Sequence, residues 1–256
     1  MYHLLPSLLV AIFVSASASL LGCFAILKRM ALVGDAMSHV ALPGIAIALL
    51  FNFNPFLGAA AFLLIAVFGI WVLENKTTLS TDTIVGVFFT TALAIGTLIT
   101  PEQELLEALF GDISKLTARD AVISVIFAII LIVLLLVLSK KLALNMISQE
   151  IAHSIGIKTK LLDLAYLAIF ALTVALGIRF VGALLMGSLV IIPAASAKNI
   201  SRNLNFFLTS SVIFGIIGSV AGIYLSDLLH LPPGPIFILS TGVIFLVTLI
   251  IRAFRR

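Results

Sequence analysis

Lys28-Arg-Met-Ala-Leu-Val-Gly-Asp-Ala-Met-Ser-His-Val-Ala-Leu-Pro43 opens a segment that stays apolar to Phe51 and carries, beyond its basic start, only two ionisable side chains, Asp35 and His39. A helix over 32–51 would be about 30 Å long, the thickness of a bilayer's hydrocarbon core. Lys28 and Arg29 would hold its entry at the membrane surface. Asp35 and His39 are four residues apart, so on a helix they project from one face and can hold one ion between them. An acidic side chain at the bilayer centre costs at least ~2.5–3.5 kcal/mol, so such residues face a bundle interior or a water-filled path and serve ions, protons or substrate.

The rest of the chain repeats this pattern. Of 256 residues 62% are hydrophobic and 10% charged, and the mean hydropathy is +1.30. That leaves too little polar surface to cover a soluble globule. The fold class is all-α, a polytopic membrane protein in one domain over 1–256, with no glycine-rich linker, low-complexity stretch or internal repeat. Nine apolar runs are long enough to cross, at 4–27, 32–51, 55–73, 82–100, 121–138, 161–178, 181–197, 204–226 and 235–251. The seventh, with Gly182, Gly187 and Pro193, reads as broken or re-entrant in the alternative, which leaves eight spans.

Basic residues mark the cytoplasmic side. With the N-terminus outside and the C-terminus inside, Lys115, Arg119 and Arg179 fall outside and the other twelve of the fifteen Lys and Arg fall inside. The net charge of +4 is thus a topology signal, and basic residues scattered over loops without interleaved aromatics exclude a nucleic-acid surface. The first run lacks a positive leading region and reads as a retained span, with Cys23 a small buried hydrophobe rather than a lipoprotein attachment site. One cysteine allows no thiolate cluster, so an ion site must use His, carboxylates and carbonyls. Small residues at 15–19, 58–61 and 218–222 predict close helix packing within the chain.

Pro43 has no N–H for the carbonyl of His39, so a kink is expected there with that oxygen spare beside the pair, and Ser38 is placed to bond a ligand. Asp oxygen and His nitrogen suit zinc, manganese or ferrous iron. Two ligands do not complete a site, and a twofold dimer with its axis through the pathway would supply two more. Two loops stand out. The external one, 101–120, carries Glu102, Glu104, Glu107 and Asp112, a negative lip that favours cations or a basic partner. The cytoplasmic one holds a candidate helix from Gln149, with Glu150 in its first turn, Ala152 within it, Ser148 as N-cap and Gly156 as stop. Ile151 and Ile155 share a face that wants a partner's groove or the lipid interface. His3 and His230 read as interfacial, His153 as surface, and Asp163 and Glu74 as solvated or salt-bridged at helix ends.

Val33-Gly-Asp-Ala-Met-Ser-His-Val-Ala-Leu-Pro-Gly44 resembles the signature of the permease subunits of ABC-type zinc and manganese importers, the ABC-3 family. Leu109–Ile113, Ser148–Ile157, Arg179–Ala197 and Leu231–Pro235 match it further, in order, along nearly the whole chain. The resemblance implies a homodimeric permease of the type II importer fold in a prokaryotic plasma or inner membrane, served by two cytoplasmic ATPase subunits that bind ATP and by an external metal-binding protein. It implies that 148–157, with Gln149, Glu150, Ile151, Ala152, Ile155 and Gly156, is the coupling helix seated in the ATPase, and that Asp35 and His39 coordinate the transported metal. Zn2+ is favoured, with Mn2+ or Fe2+ as alternatives; the chain itself holds no cofactor. Having no Gly-Lys-Ser/Thr phosphate loop, it is not an enzyme. The rival reading is a proton-coupled carrier using the same pair as a relay; a metalloenzyme is disfavoured by the lack of His-Glu-x-x-His.

Overall fold

The computed structural model describes residues 4–99, 117–183 and 185–254, with the side chains of Leu4 and Leu5 outside the description. The acidic residues of the external loop, the Leu109–Ile113 match and His3 lie outside the described residues. Helices α1 (Leu4–Leu27), α2 (Val33–Val40), α3 (Leu42–Leu50), α4 (Pro55–Lys76) and α5 (Thr81–Ile99) precede that gap. After it come α6 (Ala118–Ile147), the short α7 (Gln149–Ser154), α8 (Thr159–Val181), α9 (Met186–Ile200), α10 (Leu204–Leu229) and α11 (Pro233–Phe254).

Local chemistry sets these ends. Asn54 accepts the Phe56 N–H and Pro55 begins α4. Thr117 and Asp120 form a reciprocal capping box at the start of α6. Ser148 caps α7 and Asn203 caps α10. Gly182, at φ 84°, ends α8 in a backbone conformation that side chains disfavour.

Side-chain contacts fix how the helices run. Lys28, just past α1, reaches Glu74 near the end of α4 and Asp163 near the start of α8. Asn145, near the end of α6, bonds Asp163 as well. At the opposite end Arg179 of α8 pairs with Asp120 of α6 at 3.0 Å. Among the described residues eight helical stretches are long and apolar enough to cross a membrane, α2 and α3 counting together as Val33–Leu50. The seventh expected span is shorter: α9 has 15 residues, about 22 Å of helix. Its two ends still lie at opposite ends of α11. Leu185 sits against Gly234, whereas Asn199 bonds Thr248 and Arg252. Leu185 N–H donates to Gly182 O at 3.4 Å ahead of α9, and Pro193 is carried inside α9 without ending it.

Buried α1 and α8 form the centre, and α5, α6 and α11 expose most of their surface. The seams follow the small residues. Ser15 Oγ lies 3.0 Å from Ser219 Oγ, and the Ser211 hydroxyl donates to the Ser19 carbonyl at 2.8 Å, joining α1 to α10. Cys23 is fully buried in that seam. Gly44 and Gly58 bring α3 and α4 together so closely that a Cβ on either would strike the other's carbonyl.

Candidate functional site

The chain enters the site through a tight turn. α1 closes with Met30 N–H donating to Ala25 O at 2.8 Å and Arg29 N–H to Ile26 O at 3.2 Å, with Arg29 left-handed at φ 61°. α2 follows at once, Val33 N–H donating to Met30 O at 3.2 Å. Asp35 lies in the first turn of α2 and His39 in the last, the ends at which a helix dipole favours an anion and a cation.

The expected interruption is present at Ala41, between α2 and α3. The spare oxygen is not. A backbone N–H of the turn closing α2 bonds the His39 carbonyl, because the chain tightens locally and offers the carbonyl another donor in place of the one Pro43 lacks. Ser38 also differs from expectation. Its hydroxyl lies 2.7 Å from the Asp35 carbonyl and 2.6 Å from the Ala183 carbonyl, so it ties α2 to the turn after α8 and touches neither candidate ligand's side chain.

Around the pair, packing is backbone against backbone. A Cβ on Gly187, at the start of α9, would lie 2.7 Å from Asp35 Cβ and 2.8 Å from its Cα. Gly34 faces Gly187, Val190 and the ring of Phe170, which lies midway along α8. The pair therefore sits within the depth of the bundle. Asp35 is exposed in the single chain and His39 half-buried. The imidazole packs on Phe89 of α5, ring centroids 5.4 Å apart and tilted by 57°. Its Nδ1 is enclosed and has no hydrogen-bond partner. An unpartnered buried nitrogen beside an open carboxylate can accept a metal ion or a proton. Among the described residues no group of three His, Cys, Asp or Glu side chains converges, so Asp35 and His39 do not complete a site alone.

Sequence reasoning missed Phe89 and Ala183, and it did not place Gly187 at the pair. Gly182 and Gly187 had signalled a break in a span, but nothing local said that the break would receive α2.

The second candidate region lies at the Lys28 end. α7 has the expected form: the Ser148 hydroxyl accepts the Ile151 N–H at 3.3 Å and Gly156 stops it at φ 82°. Ala152 is buried beneath it, Ile151 and Ile155 are 54% and 62% exposed, and Glu150 and His153 face out. An exposed apolar pair of this kind can pack into a partner's groove or against the lipid interface. Gln149 reaches inward, its Nε2 3.5 Å from Asp163 Oδ2.

Residues 1–252 match the model of the ABC 3 transport family. A high-affinity zinc uptake system membrane protein, ZnuB of Haemophilus influenzae, is 31% identical over 97% of both chains. The manganese transport system membrane protein MntC of Listeria monocytogenes is 28% identical over 94% of this chain and 88% of its own. Among solved structures, PsaBC from Streptococcus pneumoniae in complex with Fab superposes with a TM-score of 0.86 at 26% identity, covering 97% of this chain and 91% of that one. This chain, helical throughout its regular structure among the described residues, with its ionisable pair on an interrupted span and matched over residues 1–252, belongs to the ABC 3 transport family.

Proposed function

We propose that this chain is the membrane permease of an ATP-driven importer of a divalent transition metal, with zinc as cargo and manganese or iron as the alternative. The carrying observation is the pair itself: an open Asp35 carboxylate one turn from a His39 nitrogen that has no other partner, in a chain whose relatives are zinc and manganese transport proteins. Nitrogen and oxygen ligands together suit these ions.

The working unit is a twofold dimer. Each chain offers one carboxylate and one imidazole, and a second copy brings the set to four, the number a tetrahedral ion needs. Two ATPase subunits seat on α7 through Ile151 and Ile155, with Gln149, Glu150, Ala152 and Gly156 shaping that helix, and an external binding protein delivers the ion. The chain carries no phosphate loop, which supports a separate source of ATP hydrolysis. Lys76, Lys158 and Lys160 beside the Lys28 end, with Arg179 at the other, support a cytoplasmic Lys28 end, an external N-terminus and a cytoplasmic C-terminus in a bacterial inner membrane.

In transport, metal loses part of its water to the paired Asp35 and His39 groups. Closure of the ATPases then tilts the helices so that the inner side opens. Asp35→Ala and His39→Ala should each abolish Zn2+ uptake in vesicles holding the assembled transporter, with insertion and dimerisation unchanged. Full uptake by either variant would remove the pair from the pathway. Uptake driven by a pH gradient without ATP would instead favour the proton-coupled carrier.

A further inference from the structure

Asp163, buried where α1, α4, α6, α7 and α8 meet, is a junction that the pathway does not use. Its Oδ1 accepts Lys28 Nζ at 3.1 Å and Asn145 Nδ2 at 3.2 Å, and its Oδ2 accepts Gln149 Nε2 at 3.5 Å. Lys28 lies between two acids, since Glu74 Oε1 is 3.7 Å away on its other side and is itself held by the Thr81 hydroxyl at 2.6 Å. The cluster is only partly satisfied: Glu74 Oε2, Asn145 Oδ1 and the Tyr166 hydroxyl are buried without partners. A buried polar network with spare acceptors has a second way to pair. Here that second seat is Glu74.

We infer that Lys28 and Asp163 form a relay that carries displacement of α7 to α2, and so to Asp35 and His39. Gln149 is the first residue of α7 and joins it to the carboxylate. A nearer Gln149 satisfies Asp163 and loosens its hold on Lys28, whereas a withdrawn one tightens that hold. A cavity of about 570 Å³ lined by Lys28, Arg29, Asn145, Gln149, Glu150 and Asp163 leaves room for this movement. On the other side, Lys28 is separated from Val33 by four residues, of which Arg29 and Met30 donate back to α1 and Met30 and Leu32 accept N–H groups of α2. A short hydrogen-bonded turn therefore joins Lys28 to α2, and the relay requires that a change of partner at Lys28 move this backbone as well as the side chain.

The inference rests on the proposed reading of α7 as the ATPase seat. Asp163→Asn keeps the size and amide-accepting oxygen while leaving Lys28 its partner Glu74. The combined change Lys28→Met, Asp163→Leu and Glu74→Gln removes the cation together with both acids it serves, so no buried charge is left unpaired. Both go into the assembled transporter in vesicles, with Zn2+ and, in parallel, Mn2+ as probe. Membrane insertion, ATPase co-purification, ATP hydrolysis and metal delivered per ATP are measured. Both variants should assemble and hydrolyse ATP, yet deliver on the order of tenfold less metal per ATP, the usual size of a coupling between sites. A wild-type ratio in either assembled variant overturns the relay, because a purely structural cluster tolerates a replacement that leaves no charge unpaired. If the unaltered transporter itself delivers no metal with ATP, the reading of the protein's function falls, and the relay with it.

Discussion

Two sets of ionisable side chains lie inside this membrane chain, and they are treated oppositely. At the Lys28 end, Asp163 takes three donors and Lys28 takes two acids, so the charges are largely spent on one another. On α2, Asp35 and His39 form no hydrogen bond with each other, the carboxylate is open and the His39 Nδ1 is unpartnered. Both arrangements oppose the cost of burying charge, the first by pairing within the chain and the second by leaving the groups to something that arrives from outside. Breaking one partner out of the first region should therefore cost stability as well as coupling, whereas substitution in the second should abolish transport with little cost in stability.

Lys28→Met alone should have the largest effect on folding, about 3–5 kcal/mol, because it takes the shared cation from the Asp163 and Glu74 carboxylates; unfolding in mixed detergent measures it. Gly187→Val should cost about 1–3 kcal/mol by overpacking and should also impair uptake, since the new side chain meets the Asp35 backbone. If Gly187→Val transports normally, the backbone contact between α2 and α9 does not position the pair. Ser38→Ala should cost about 1–2 kcal/mol, the loss of a buried bond to Ala183, with uptake reduced but retained. Asp35→Asn should change stability by less than about 1 kcal/mol, roughly its share of the dipole interaction at the start of α2, while uptake disappears. A large stability loss in Asp35→Asn would erase the contrast between the two regions.

Much of this contrast was legible beforehand. Asp35 and His39 stood out because an ionisable residue in an apolar run is costly wherever the run folds. α7 was readable from Ser148, Glu150 and Gly156, whose capping roles act within one turn and need no tertiary partner. The capping of the His39 carbonyl was not readable, because it depends on how the backbone tightened at Ala41. Ser38 was placed beside the ligands by its spacing, whereas its hydroxyl was taken by Ala183, 145 residues away. Asp163 and Glu74 each looked like an ordinary helix-end acid. Only when Lys28 came between them did they become a network.

By itself the sequence determined that the chain is a bundle of membrane helices, where eight of its spans lie, where the ionisable pair falls and where α7 begins and ends. These follow from hydropathy, helical spacing and capping, all of which act over a few residues. Tertiary structure alone decided that α9 would be a short return leg, that Gly187 would lie against Asp35, and that Lys28 would be shared by Glu74 and Asp163. Those outcomes depend on which helix faces meet, and in a chain that is apolar almost throughout, hydropathy does not distinguish one face from another; close fit and buried hydrogen bonds do.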